Sequence, residues 1–436
     1  MKQRFRTRLG SVDPSIVAIV AEGFLSRLSF GLISFALPLY ALSLGLGLTE
    51  IGFLLSLNLV VAITLKPLGG FIADRWGLKR TLTASIGLRS VVSLLFALAR
   101  VPWQIYSIRS IHGVSISLRD PAVNTLIAER GGKKAIASSF AWYQTAKSLA
   151  GSIGRAIAGL LLTLTASNFS MIFFISFVLS ALPLFIVLRY VRDTAPAQQP
   201  AAEAEAEVVA AAYANGREQR DRGPQPKPST ASFAGLGFVV TATAYMLSSL
   251  FPIFATEYVG LTEAETGMIY LVSSLVVISG PVFGWLSDNV SQRLVLLTRS
   301  VANVFSSLVY IVWPSFAGLA VGRTVDEVGK AAFRPAWGAL MAQVTGHNKK
   351  GRARAMGFMS AGEDAGEVAG PILAGFLWST WGIPVVLVAR MMLAVVAEVY
   401  TVRLTRALEA SRPPALSRNA LWKFPPPEPP AVRDGA

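Results

Sequence analysis

Cysteine is absent from all 436 residues, which excludes disulfides, thiolate metal sites and cysteine nucleophiles and leaves the redox compartment unread. Charge is scarce as well: Asp, Glu, Lys and Arg together make up 15% of the chain, far below a soluble globular norm. Histidine occurs twice, as His112 and His347. No Walker-type phosphate loop is found, so nothing points to direct ATP coupling. The basic start MKQRFRTRLGSVDPS is followed by no small-residue cleavage signal, and the apolar stretch running on to Leu42 reads as a first spanning helix.

What is present is apolar. Hydrophobic residues are 53% of the chain and mean hydropathy is +0.52, the balance of a membrane protein. The net charge of +15 does not make it a nucleic-acid binder, because a basic soluble protein has no use for apolar runs of bilayer length. A window of about 19 residues finds twelve candidate spans, within 14–42, 50–73, 81–99, 103–128, 136–164, 170–191, 233–256, 264–287, 294–313, 316–343, 354–378 and 384–408. The expected division is a six-helix bundle over 1–191, a linker over 192–232, a second bundle over 233–408 and a tail over 409–436. The linker is rich in Ala, Glu, Pro and Gln and the tail in Pro, with too little apolar bulk for a core.

Lysine and arginine collect in alternate loops. Lys2, Arg4, Arg6 and Arg8 precede the first span, Arg75, Lys79 and Arg80 follow the second, and Arg130, Lys133 and Lys134 follow the fourth. The opposite loops hold a single cation, Arg100. Cationic loops are retained in the cytoplasm, so both termini and the linker are expected inside. The sequon Asn168-Phe169-Ser170 falls in an outer loop and carries no functional weight.

The chain also repeats. A shift of 214 residues lays PLGGFIADRWGLK on PVFGWLSDNVSQR, matching Pro67 to Pro281, Gly70 to Gly284, Asp74 to Asp288 and Lys79 to Arg293. The same shift takes Pro38 to Pro252, Arg109 to Arg323, Pro121 to Pro335 and Ala128 to Ala342. Several matches at one offset over three helix pairs argue for two duplicated six-helix halves, an all-α membrane protein of secondary-transporter architecture.

On these residues the chain resembles the major facilitator superfamily over nearly all of 10–410. Gly70, Asp74, Arg75, Gly77, Lys79 and Arg80 follow the order of the family's signature after the second helix, with Leu78 where an arginine is usual. The resemblance implies that this loop helps lock the outward-facing state, its aspartate engaging charges of the other half, with Arg119 and Asp120 completing the relay and Asp288 and Arg293 as counterparts. The alternative is a loop anchored by charge. Arg109 and Gly113 resemble the fourth-helix motif of the drug/proton antiporter branch, His112 standing for a glutamine; the resemblance implies a role for Arg109 near proton transfer. An imidazole is a proton carrier near neutrality, though a buried hydrogen-bonded histidine is more commonly structural. That branch's glycine signature of helix five is found in the eleventh span, as Gly357, Gly366, Gly370, Pro371, Ala374 and Gly375. The fifth span keeps Gly154 and Gly159 and has Arg155 where the proline stands.

Charges inside spans are expensive and usually face a polar cavity. Candidates for a substrate and proton pathway are Glu22, Arg27, Arg109, His112, Lys147, Arg155, Arg323, Glu363, Asp364 and Glu367. Arg323, Asp326, Glu327, Lys330 and Arg334 are spaced to pair along one helix and read as mainly structural. Glu363, Asp364 and Glu367 form a purely acidic group, about 14 to 20 Å into the eleventh span. Three carboxylates in low dielectric repel one another, and a proton on one relieves that. The alternative is that they pair with Lys147, Arg155 or Arg27 to hold the halves together.

The reading is a twelve-helix secondary transporter, not an enzyme, that exchanges a small organic solute for protons by alternating access. The runner-up is a carrier for an organic anion or metabolite, and a non-transporting scaffold or receptor stands third. No cofactor or metal is implied. The expected partners are a small-molecule substrate, protons and the lipid bilayer, not nucleic acid, and the expected state is a monomer in the cell membrane.

Overall fold

The computed structural model describes residues 14–130, 136–191, 229–289, 291–345 and 352–410, and among them every regular element is helical. The first six spans are Pro14–Ser43, Leu48–Trp76, Leu78–Leu98, Pro102–Arg130, Ile136–Leu164 and Phe169–Tyr190. The seventh is Thr230–Ser248 continued by Phe251–Ile253 and a π-helical turn, Phe254–Tyr258. The eighth joins Glu263–Ser274 to Gly280–Asn289 through a 3₁₀ turn at Leu275–Ser279. Gln292–Val312, Phe316–Thr345, Arg352–Trp381 and Ile383–Ala410 complete the twelve. The linker up to 228 and the tail from 411 lie outside the described residues.

Among the described residues seven helices are long and apolar enough to cross a bilayer by length and composition: the first, second, third, sixth, seventh, ninth and twelfth. Spans four, five, ten and eleven interrupt their apolar runs with charge, and span eight breaks its helix. The break has a local cause. Pro281 supplies no N–H to the preceding turn, and Gly280 before it is a weak helix former. Duplication did not enforce identical helices: span one runs through Pro38, whereas its counterpart Pro252 follows an interruption at Ser249 and Leu250. Gly77 has φ +88°, a left-handed conformation open to glycine, and turns span two directly into span three.

The spans pack in a pseudo-two-fold pattern. Span one lies on five as seven lies on eleven, two on four as eight on ten, and three on six as nine on twelve. Between the halves, two meets eleven and five meets eight. The outer surface is apolar, with Val312 73% and Phe185 70% exposed, as a lipid-facing surface requires.

The core is unequal along the molecule's length. At the end carrying Ser43 and Leu48, one apolar cluster draws on all twelve spans, joining Phe35, Leu54 and Leu162 to Phe251, Phe254 and Tyr310. At the opposite end there are two clusters, one per half, around Leu82 and Ile127 and around Trp337 and Leu340. The molecule is closed at the first end and divided at the second.

Candidate functional site

The closed end is sealed by polar contacts as well as apolar ones. Ser56 Oγ of span two donates to the Val368 carbonyl at 2.7 Å, and the Thr49 and Ser379 hydroxyls pair at 2.8 Å. Glu263 at the start of span eight accepts from Thr163 Oγ1 at 3.2 Å and from Ser167 Oγ at 2.9 Å, both in the N-terminal half. Small residues make these crossings close: a Cβ on Gly52 would collide with the Pro371 carbonyl, and one on Gly159 with the Glu263 carbonyl.

Beneath this seal lies a cavity of about 560 Å³ between the halves. Its N-terminal wall includes Arg27, Phe30, Asn58, Arg109, Asp120 and Arg155, and its C-terminal wall Tyr245, Tyr270, Arg323, Glu327, Lys330 and Arg334 with the acids of span eleven. Seven of the ten pathway candidates are therefore brought together: Arg27, Arg109, Arg155, Arg323, Glu363, Asp364 and Glu367. Arg109 donates from Nη2 to the Leu55 carbonyl at 3.0 Å, and Arg155 from Nε to Ser34 Oγ at 3.3 Å. Arg27 stands 4.8 Å from the Phe30 ring centre. Glu363 accepts from Trp337 Nε1 at 2.6 Å, and Tyr245 lies against Glu367. Span eleven can offer its acids here because its small face is used elsewhere: Gly362, Gly366 and Gly370 pack on the backbone of span seven, at Ala234, Phe238 and Ala242.

Three pathway candidates are not among the lining residues. Glu22 is fully buried within one half, paired with Arg119 at 2.7 Å and Arg89 at 3.6 Å and accepting from Ser26 at 2.6 Å. Apolar packing around spans one, three and four leaves that carboxylate no water, so it takes two guanidiniums. His112 is buried against Phe30, with Nδ1 3.4 Å from Arg109 Nη1. Lys147 stands over Tyr143 at 4.8 Å, held by the ring's face.

The gate candidates divide similarly. Arg119 meets Glu22 through two nitrogens, and its 3.5 Å approach to Asp120 is the longer contact. Asp120 lines the cavity with its side chain 45% exposed. Asp74, Lys79 and Arg293 are partly buried, and Arg75 and Arg80 are exposed. Close packing in this turn falls on Gly69, against the Ser117 carbonyl, next to the signature's Gly70. The side chain of Asp288 lies outside the described residues.

The hub of the C-terminal half bears out a structural Asp326 and Lys330, but its other members, Arg299 and Arg390, had no role from the sequence. Asp326 meets Arg390 at 2.6 Å, Arg299 at 3.2 Å and Lys330 at 3.2 Å, and Arg390 also donates to Thr243, Asn303, Ser306 and Ser307. At the 214-residue shift Asp326 is the counterpart of His112, so the two halves filled one position differently. Arg323 and Lys330 meet Glu327 at 3.3 and 2.8 Å as helical spacing predicts, and all three line the cavity together with Arg334. Tyr245, Tyr270 and Trp337 had no sequence signal, since an aromatic in a membrane helix is ordinarily a packing or lipid-facing residue.

The family model described as Major Facilitator Superfamily matches residues 22–231 and 233–430. A Na⁺, Li⁺, K⁺/H⁺ antiporter of Planococcus maritimus is 30% identical over 143 residues, 32% of this chain and 33% of that one. The quinolone resistance protein NorA of Staphylococcus aureus is 30% identical over 118 residues, 27% of this chain and 30% of that one. The matched stretch spans about a third of each of these relatives. Among solved structures, an inward-facing, unoccupied bacterial homologue of the human lysosomal transporter Spinster has TM-score 0.70 and 14% identity over 92% of this chain and 98% of that one. The nucleoside transporter NupG has TM-score 0.63 and 16% identity over 90% and 99%, and the human organic anion transporter MFSD10 has 0.61 and 14% over 89% and 99%. These likenesses speak to the fold alone.

Proposed function

Because this chain belongs to the Major Facilitator Superfamily, a family of multi-pass membrane transporters, we propose that it exports a small amphipathic organic solute in exchange for protons. The observation that carries this reading is the acidic group on span eleven. Glu363, Asp364 and Glu367 line a cavity between two halves, and Arg27 of the other half lines it too. Relative motion of the halves changes the distance from Arg27 to Glu367. A proton held by the carboxylates when the cation is distant is released when it approaches, and protonation is thereby linked to the rocking motion.

The same reading places both termini and the loop after span two in the cytoplasm of a cell-membrane protein acting as a monomer, with 1–191 and 233–408 as its moving halves. The divided end is then cytoplasmic and the conformation inward-facing. Arg109 sits at the closed end of the cavity, where it holds span four to span two at Leu55. A second reading, a carrier for an organic anion, is favoured by the arginines that line the cavity.

The test is proton movement in proteoliposomes loaded with a pH dye and challenged with a panel of amphipathic compounds. At least one compound is expected to drive protons across the parent protein, and Glu363→Gln or Glu367→Gln to cut that rate about tenfold or more while leaving the melting temperature near normal. Parent rates in both variants make the acidic group structural and sink the assignment.

A further inference from the structure

The closed end of the cavity holds cations with too few counter-ions. Arg155 of span five and Arg323 of span ten come from opposite halves and stand 4.9 and 4.7 Å from the centre of one ring, that of Tyr270. Among the described residues Arg155 makes no ion pair, and its one hydrogen bond goes to a serine. Arg323 is 3% exposed; it reaches Glu327 at 3.3 Å, a carboxylate that Lys330 holds at 2.8 Å, and its Nε has no hydrogen-bond partner. A desolvated cation without full compensation is costly, and two of them beside one ring and lining one cavity offer their donors to an anion there.

Guanidinium forks match a planar or tetrahedral oxyanion with paired N–H donors, and the aromatic platform restricts where the forks sit. Depth separates this pair from the acids. By helical rise, Arg155 and Arg323 lie about 14 and about 10 Å from the closed-end termini of their spans, and Glu367 about 21 Å from that of span eleven. Phe30 and Leu59 line the same cavity and give it apolar surface. Resting on the transporter reading above, we propose that Arg155 and Arg323 together bind the anionic group of an amphipathic organic substrate, a carboxylate, sulfonate or phosphate, with Tyr270 as their common platform. Because the arginines belong to different halves, the bound anion joins the halves at the closed end.

The experiment uses the full chain in lipid nanodiscs and a matched naphthalene panel: 2-naphthoate, naphthalene-2-sulfonate and 2-naphthyl phosphate, against neutral 2-naphthamide and cationic 2-naphthylmethylammonium. Melting temperature is followed as each probe is titrated. At least one anion is expected to raise it saturably, while the amide and the ammonium do not. Arg155→Gln and Arg323→Gln are each expected to weaken that anion about tenfold or more, and Arg100→Gln, on an exposed loop, to leave it unchanged. Should Arg323→Gln fail to fold, Arg155→Gln decides alone, since Arg155 takes part in no ion pair among the described residues. A response to none of the three anions, an equal response to the neutral or cationic probe, or parent affinity in the Gln variants overturns the proposal. Binding needs no pH gradient, so anion binding without proton movement sinks the exchange reading and spares this site, and the converse result sinks this site alone.

Discussion

Arg390 shows how a guanidinium becomes affordable in a membrane helix. It is 1% exposed, and its nitrogens reach a carbonyl, two serine hydroxyls, an asparagine oxygen and the Asp326 carboxylate. Asp326 in turn holds Arg299 and Lys330. Removing one member of a buried pair leaves the other uncompensated, at a cost of about 3 to 5 kcal/mol. Asp326→Asn is therefore expected to melt well below the parent in detergent, and Glu22→Gln to behave alike, because Arg119 and Arg89 lose their carboxylate. Thermal unfolding of the purified variants checks this; parent stability for Asp326→Asn shows that the cluster is solvated. Glu363→Gln is expected to be mild, as Trp337 Nε1 keeps an acceptor.

At the scale of the helix, small residues decide which faces meet. Gly366 and Gly370 of span eleven lie where a Cβ would strike span seven at Phe238 and Ala242, while a Cβ on Gly357 would meet nothing within 4 Å. Gly366→Val is expected to abolish folded protein, because it collides with backbone that cannot yield. Gly357→Ala is expected to be neutral or to stabilise by up to about 1 kcal/mol through helix propensity. Size-exclusion profiles of both variants distinguish these outcomes, and a folded Gly366→Val refutes the packing argument. One glycine signature thus contains positions of opposite tolerance.

For the molecule as a whole, the seal at one end and the division at the other are a population that weak bonds can move. Ser56 and Glu263 hold the seal, and a shift of a few kcal/mol reverses a two-state balance. Ser56→Ala with Glu263→Ala is expected to lengthen the distance between spin labels at Leu44 and Thr380. Asp74→Asn is expected to act at the divided end, enlarging the long-distance population between labels at Tyr190 and Leu294, both exposed there. An unchanged distribution leaves Asp74 as an anchor. Orientation has its own check: cysteines at Ser43 and Val101 are expected to react with an impermeant thiol reagent in intact cells and one at Ser229 to be protected, and the reverse pattern overturns the cytoplasmic assignment.

Membrane residence, twelve spans and the two-fold repeat were legible from residues alone, because bilayer thickness sets a length for apolar runs and duplication leaves matches such as Pro121 and Pro335 at one offset. Seven of the charged residues that line the cavity were singled out from the sequence too, since a charge in a membrane helix needs water or a partner. Which partner it finds is a matter of helix rotation and depth. Glu22 and Glu367 are alike as letters, yet Glu22 turns towards Arg119 inside one half and Glu367 faces the gap between halves. Arg155 looked like a lost proline; only the packing of span five on span eight sets it beside Tyr270 and Arg323. Side-chain spacing within one helix is local and follows from the sequence, whereas the rotation that brings two helices' charges together is settled by the sum of weak apolar contacts over all twelve spans. That sum becomes visible only in the tertiary structure.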